Sequence, residues 1–133
     1  MKITEINADN YVYNKDNELC KVCIVNMITN SVIVDNYAHD DGTFYEYDFY
    51  EIKPIPLTGD MLAENGFVWD GTGYQWRLYI KDEPRIVQLG LISDGEVDPC
   101  IFAWMAGLCK KLRYLHELQN LFTALGIEKE IKL

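Results

Sequence analysis

Leu112-Arg113-Tyr114-Leu115-His116-Glu117-Leu118-Gln119-Asn120-Leu121-Phe122-Thr123-Ala124-Leu125-Gly126 is the stretch on which the fold turns. At about 100° per residue, Tyr114, Leu115, Leu118, Leu121, Phe122 and Leu125 fall in one arc of roughly 120°, the width of a core-facing helical stripe. Gly126 supplies the left-handed stop. The opposite arc carries Arg113, His116, Gln119, Asn120 and Thr123, all hydrogen-bond donors and none a strong nucleophile. A helix with one apolar face needs apolar surface to cover, and the rest of the chain is expected to provide it.

Working outward, Glu128 to Leu133 reads as a frayed tail. Before the helix, Cys100 to Leu108 is apolar. Gly107 weakens a continuous helix there, which favours a strand or irregular segment. Ser93 to Pro99 is a polar loop. Arg85 to Ile92 is a strand, Lys81 to Pro84 a turn, and Tyr74 to Ile80 returns from Phe67-Val68-Trp69 through the hairpin turn Asp70-Gly71-Thr72-Gly73. Thr58 is a suitable cap for a short helix from Gly59 to Glu64, with Asp60 in its first turn and Asn65-Gly66 as its stop. Lys53-Pro54-Ile55-Pro56-Leu57 must be extended, since each proline fixes its own φ and disfavours helix in the residue before it.

The first third alternates. Asn10 to Tyr13, Leu19 to Val25, Ser31 to Asp35 and Phe44 to Ile52 read as short antiparallel strands joined by Asn- and Asp-rich turns. In the last of them Tyr45, Tyr47 and Phe49 share one face and Glu46 and Asp48 the other. The chain is therefore expected to be α+β: a small bent antiparallel sheet or barrel, then a helix, a β-hairpin sheet and the C-terminal helix. We expect a single domain over 1–133, divided into an N-terminal β part (1–53) and an α+β part (57–133).

Composition narrows the function. The 133 residues are 49% hydrophobic and 13% aromatic, enough for a real core. Lys and Arg number 12 against 21 Asp and Glu, a net charge of −9. A duplex phosphate backbone would meet repulsion over most of such a surface. Met1 to Asn7 lacks the apolar run of a signal peptide, and no stretch approaches the ~18 apolar residues of a membrane span. An intracellular, soluble protein with reduced thiols follows as the expectation. Cys20 and Cys23 form a C-x-x-C inside a β-branched run, where a spacing of three sends the sulfurs to opposite faces, and Cys100 and Cys109 lie nine apart, so no zinc pattern is present.

Two constellations stand out. His116, Gln119 and Asn120, with Thr123 and with Arg113 at the edge, form a polar ridge on the last helix. This is either the hydrogen-bonding wall of a ligand pocket or a cap on the backbone carbonyls of Pro54 to Thr58. Trp69, Tyr74, Trp76 and Tyr79 crowd one hairpin with Arg77 among them, and Arg77 shares a face with Tyr79. Rings and a cation in that pattern build a core, a stacking platform or a partner anchor. His39 beside Asp40 and Asp41 has no nucleophile near it in sequence. Phosphate loop, nucleophile elbow and metal-ligand spacing are all missing, so the expectation is a protein without catalytic residues, metal or cofactor.

Three further stretches go together: Met1 to Ile6 with Asn10-Tyr11-Val12, Ile52-Lys53-Pro54-Ile55-Pro56-Leu57-Thr58 with Gly66-Phe67, and Tyr114-Leu115-His116-Glu117-Leu118-Gln119-Asn120-Leu121-Phe122. Along nearly its whole length and in this order the chain resembles a family of small proteins carried by phages and prophages of gut bacteria. It departs from that family at Ala8-Asp9, where Ile-Gly is usual, at Ala124 to Glu128, where Ala-Leu-Thr-Gly-Glu-Glu is usual, and across Leu91 to Leu108. The resemblance implies a phage accessory protein in the cytoplasm of an infected bacterium. With no catalytic motif, that protein is expected to act by binding, for instance in anti-defence, on a host protein or a small nucleotide-like ligand. Trp76, Arg77, Tyr79, Arg113, His116, Gln119 and Asn120 are its candidate binding residues. The alternative is a scaffolding protein that self-assembles, and a homo-oligomer through the Trp69 to Tyr79 hairpin is expected in that case.

Overall fold

The computed structural model describes residues 1–39, 41–71, 75–79, 86–92, 100–105 and 108–133. In chain order the elements are β1 (Tyr11–Tyr13), β2 (Leu19–Asn26), β3 (Ser31–Asn36), β4 (Phe44–Asp48), α1 (Gly59–Glu64), β5 (Val68–Asp70), β6 (Gln75–Tyr79), β7 (Ile86–Ile92), β8 (Cys100–Met105), β9 (Leu108–Leu112) and α2 (Leu115–Ala124). Short 3-10 turns at Ile3–Glu5 and Phe49–Glu51 complete the set. The expected turns at Asp70 to Gly73 and Lys81 to Pro84 and the loop at Ser93 to Pro99 lie wholly or partly outside the described residues. The fold is α+β, and among the described residues no helix is long and apolar enough to cross a membrane.

The chain forms two compact units, Met1–Pro56 with Tyr114–Lys129, and Leu57–Arg113 with Glu130–Leu133. The last helix groups with the N-terminal strands, whereas the expected division was into 1–53 and 57–133.

In the first unit β1 to β4 form an antiparallel sheet in sequence order. Ile6, Val12, Cys20, Val22, Val32, Val34 and Ile52 make its core, with Val25, Tyr45, Tyr47 and Phe49 packed against them. The turns follow from their Asn content: Asn14 Oδ1 accepts from Asp16 and Glu18 N–H, and Asn26 Oδ1 accepts from Ile28 and Thr29 N–H. Asn17 (φ 59°) and Asn30 (φ 53°) take the left-handed conformation that Asn tolerates. Between Val22 and Ile24 the β2–β3 register shifts. The extra residue, Cys23, changes the alternation so that Cys20 and Val22 before it and Val25 after it all meet core-facing partners on β3.

Helix α2 buries Leu115, His116, Leu118 and Phe122. At about 100° per residue this arc is rotated toward the polar side from the one expected, because His116 is inside while Leu121 and Leu125 are only half-buried. Gly126 ends the helix at φ +69°.

In the second unit, Thr58 Oγ1 accepts from Met61 N–H at 3.3 Å and starts α1, as its sequence requires. Gly66 ends it at φ +89°. Strands β5 to β9 form a five-stranded antiparallel sheet in sequence order, wider than the hairpin sheet expected. Residues 108–112, expected to lead into or begin the last helix, are its edge strand, with Leu108 opposite Met105. The chain's last residues also differ from expectation. Asn65, buried, donates to Lys132 O at 2.8 Å and accepts from Lys132 N–H at 2.7 Å, and Ile131 is buried. A single amide that matches a backbone donor and acceptor together holds this segment in place of the expected frayed tail.

Candidate functional site

The candidate residues divide between the units: His116, Gln119 and Asn120 in the first, Trp76, Arg77, Tyr79 and Arg113 in the second.

On α2, Gln119 Oε1 accepts from Tyr11 N–H at 3.0 Å and its Nε2 donates to Asp9 O at 3.3 Å. Asn120 Oδ1 accepts from Asn10 Nδ2 at 2.9 Å and its Nδ2 donates to Glu5 O at 2.8 Å. The ridge does satisfy backbone groups, but those of residues 5 to 11 and not of the Pro54 to Thr58 seam. The seam is met by main chain instead: Leu115 N–H donates to Ile55 O at 2.8 Å, and Leu57 N–H to Arg113 O at 2.9 Å. His116 is 1% exposed and stacks on Tyr114, with centroids 5.7 Å apart and planes 10° apart. It is an interior imidazole and not part of an exposed wall. Thr123 Oγ1 donates to Gln119 O one turn back.

On the second unit's sheet, register pairs Trp69 with Trp76 and Val68 with Arg77. The two indoles meet at 5.2 Å and 53°. A Cβ on Gly59 would lie 3.1 Å from Trp76 Cζ2, so Trp76 lies directly against the start of α1. Leu78, on the face it shares with Trp76, is buried. On the other face Arg77 Nη2 pairs with Asp70 Oδ2 at 3.2 Å, while Val68 and Tyr79 are exposed. The expected pairing of cation and ring on one face is present in outline, with Arg77 already engaged by a carboxylate. Arg113 is exposed.

The sequence reading missed a polar network on the first unit. Glu18 Oε1 accepts from Asn14 Nδ2 (2.9 Å) and Asn36 Nδ2 (3.2 Å), and its Oε2 lies 3.2 Å from His39 Nε2. Both asparagines are fully buried. Their hydrogen bonds hold the Glu18 carboxyl below its usual range, and His39 adds to this. His39 packs against Tyr45 at 5.5 Å, and Tyr45 Oη donates to Asp41 Oδ2, which pushes the phenol up. Burial pushes the Cys20 thiol up to about 11, with the Glu18 charge adding, so Cys20 is a protonated core group at neutral pH. The available signal was Asn14 and Asn36, each placed where a strand ends. Among the described residues no group of three or more His, Cys, Asp and Glu side chains converges as a metal-holding set.

No family model matches the chain, and neither the curated proteins nor the solved structures contain a match to it.

Proposed function

We propose that this chain is a non-enzymatic accessory protein of a phage that acts in the host cytoplasm by binding, and that blocking a basic host protein is its anti-defence role. One observation carries the reading. Between Lys21 and Lys53 the sequence has no lysine or arginine, while Asp35, Asp40, Asp41, Glu46, Asp48 and Glu51 fall within it. Large apolar side chains stand in solvent in the same stretch, with Phe44 64% and Tyr50 79% exposed. A one-signed field speeds encounter with a basic partner, and exposed rings supply the anchors that hold it. Sequestration of a small nucleotide-like signal asks for Trp76 and Arg77, and these lie against Gly59 and Asp70.

Capture of host proteins on the immobilised chain, with each captured protein identified and its charge compared with the lysate average, tests the reading. Enrichment of a basic protein that is released by salt is the expected result. Titration of signalling nucleotides by calorimetry, with binding there and no protein captured, would overturn it in favour of the small ligand. Self-assembly is the second reading, favoured by Val68 and Tyr79 at 60% and 62% exposure on the β5–β6 pair. Light scattering at micromolar concentration decides it: a closed oligomer that Tyr79→Ala disperses supports assembly, and a strict monomer removes it.

A further inference from the structure

The outer strand β4 pairs only with β3 among the described strands. Phe49 N–H donates to Asn30 O at 2.9 Å, which continues the β3–β4 register one step beyond Ser31 opposite Asp48. Ladder bonding in an antiparallel pair alternates along each strand. Tyr47 and Tyr45 therefore turn their N–H and C=O groups toward β3, and Phe44, Glu46 and Asp48 turn theirs away. Asp48 agrees independently, because its N–H is taken by Glu51 Oε1 at 3.1 Å rather than by the ladder. The outward edge thus offers the N–H and C=O of Phe44 and Glu46 and the C=O of Asp48.

Such an edge invites another strand, and proteins usually blunt it with lysine, proline or a bulge. Strand β4 has no lysine and no proline, and the bulge described above lies elsewhere, on β2. Phe44, Glu46 and Asp48 are exposed. Like charges directly opposite each other disfavour pairing. A second copy of β4 laid antiparallel with Glu46 opposite Glu46 or Asp48 would oppose carboxylates to carboxylates. A strand with lysine or arginine at alternate positions meets no such penalty and pairs with Glu46 and Asp48.

We infer that the free edge of β4 is a docking site for an extended basic segment of a partner protein, which adds as a fifth strand with its cationic side chains over Glu46 and Asp48. The inference rests on the protein-blocking reading above and names the surface that does the blocking. Its main-chain hydrogen bonds give affinity, and the alternating charges give the choice of partner.

The test uses the full chain and a synthetic peptide, Val-Lys-Val-Arg-Val-Lys, with two controls: the same peptide with glutamate at the charged positions, and the basic peptide N-methylated at alternate residues. Binding of the basic peptide alone, with slowed hydrogen exchange at Phe44 and Glu46 N–H, is expected. Glu46→Lys is expected to weaken it roughly tenfold. Glu46→Pro removes an N–H that faces away from β3, so it blocks addition while sparing the β3–β4 ladder. Equal binding of the N-methylated peptide, or protection elsewhere than Phe44 and Glu46, overturns the assignment, since charge alone would then account for binding. If Glu46→Pro fails to fold, the N-methylated control and Glu46→Lys still decide. Capture of a basic host protein that survives Glu46→Pro also overturns the edge. Peptide binding at the edge with no host protein captured supports it and overturns the blocking reading instead.

Discussion

The two edges of the first sheet are treated in opposite ways. At β1, Tyr13 exchanges hydrogen bonds with Lys53 at 2.9 and 2.7 Å, and Tyr11 N–H is met by Gln119 Oε1. At β4, the groups of Phe44 and Glu46 face outward beside exposed carboxylates. An edge is closed here by side-chain amides as well as by a single main-chain bridge at Lys53, and that is why α2 turns a polar arc inward. The protected edge contributes to stability, and the bare one adds no main-chain bonds beyond its pairing with β3.

Substitutions on the closed side cost most. Phe122→Ala, which empties a buried site on α2, is expected to cost about 3–5 kcal/mol in denaturant unfolding. A loss below about 1 kcal/mol would show that α2 does not complete the first unit. Asn120→Ala leaves Glu5 O and Asn10 Nδ2 without their amide and should cost about 1–3 kcal/mol. Asn120→Asp retains the acceptor for Asn10, and its recovery of part of that loss would assign the two bonds separately.

The turn between β1 and β2 responds to pH. Glu18 has its folded pKa depressed below the ordinary 4.5, chiefly by Asn14 and Asn36. Its contribution is therefore fully present above pH 4.5 and is lost as pH falls through the lower folded value. Acid titration of stability should show this loss, and Glu18→Gln should flatten that part of the profile. The smallest effect belongs to the open edge. Phe44→Ser is expected to change stability by no more than about 0.5 kcal/mol, and Glu46→Lys by about 1 kcal/mol, since Glu46 Oε1 accepts from Ser31 Oγ at 2.9 Å. A larger loss by thermal unfolding would mean that β4 is structural after all.

What the sequence made legible was local. The helix α1 with its Thr58 cap, the four strands of the first sheet and the extended prolines were readable because each depends on neighbours within a turn or a pleat, except that the fourth strand, expected through Ile52, ends at Asp48 and gives way to a 3-10 turn at Phe49–Glu51. The targets of Gln119 and Asn120 were not, because these amides act across sequence separations of 108 to 115. Their polarity suggested solvent or a ligand, and only the return of α2 to the N-terminal strands gives them backbone groups to satisfy. His116 was misplaced by the same reasoning, since a ridge drawn from helical period alone assumes that polar means outside. The Cys23 bulge was hidden too: alternation from Leu19 predicts one face throughout, and an inserted residue leaves no compositional mark.

The first unit is also discontinuous in the order of synthesis. Residues 57–113 are made between β4 and α2, and at about 5–20 residues per second this keeps the Tyr11 end of the β1 edge, which Gln119 meets, uncovered on the order of seconds in every nascent chain. During that interval the β4 margin and the Tyr11 end of the β1 margin are both exposed, and the newborn protein is most vulnerable to proteases and to pairing with other chains. A ribosome-bound chain halted at Arg113 should expose the Tyr11 amide to rapid deuterium uptake, and a chain in which α2 has emerged should slow it.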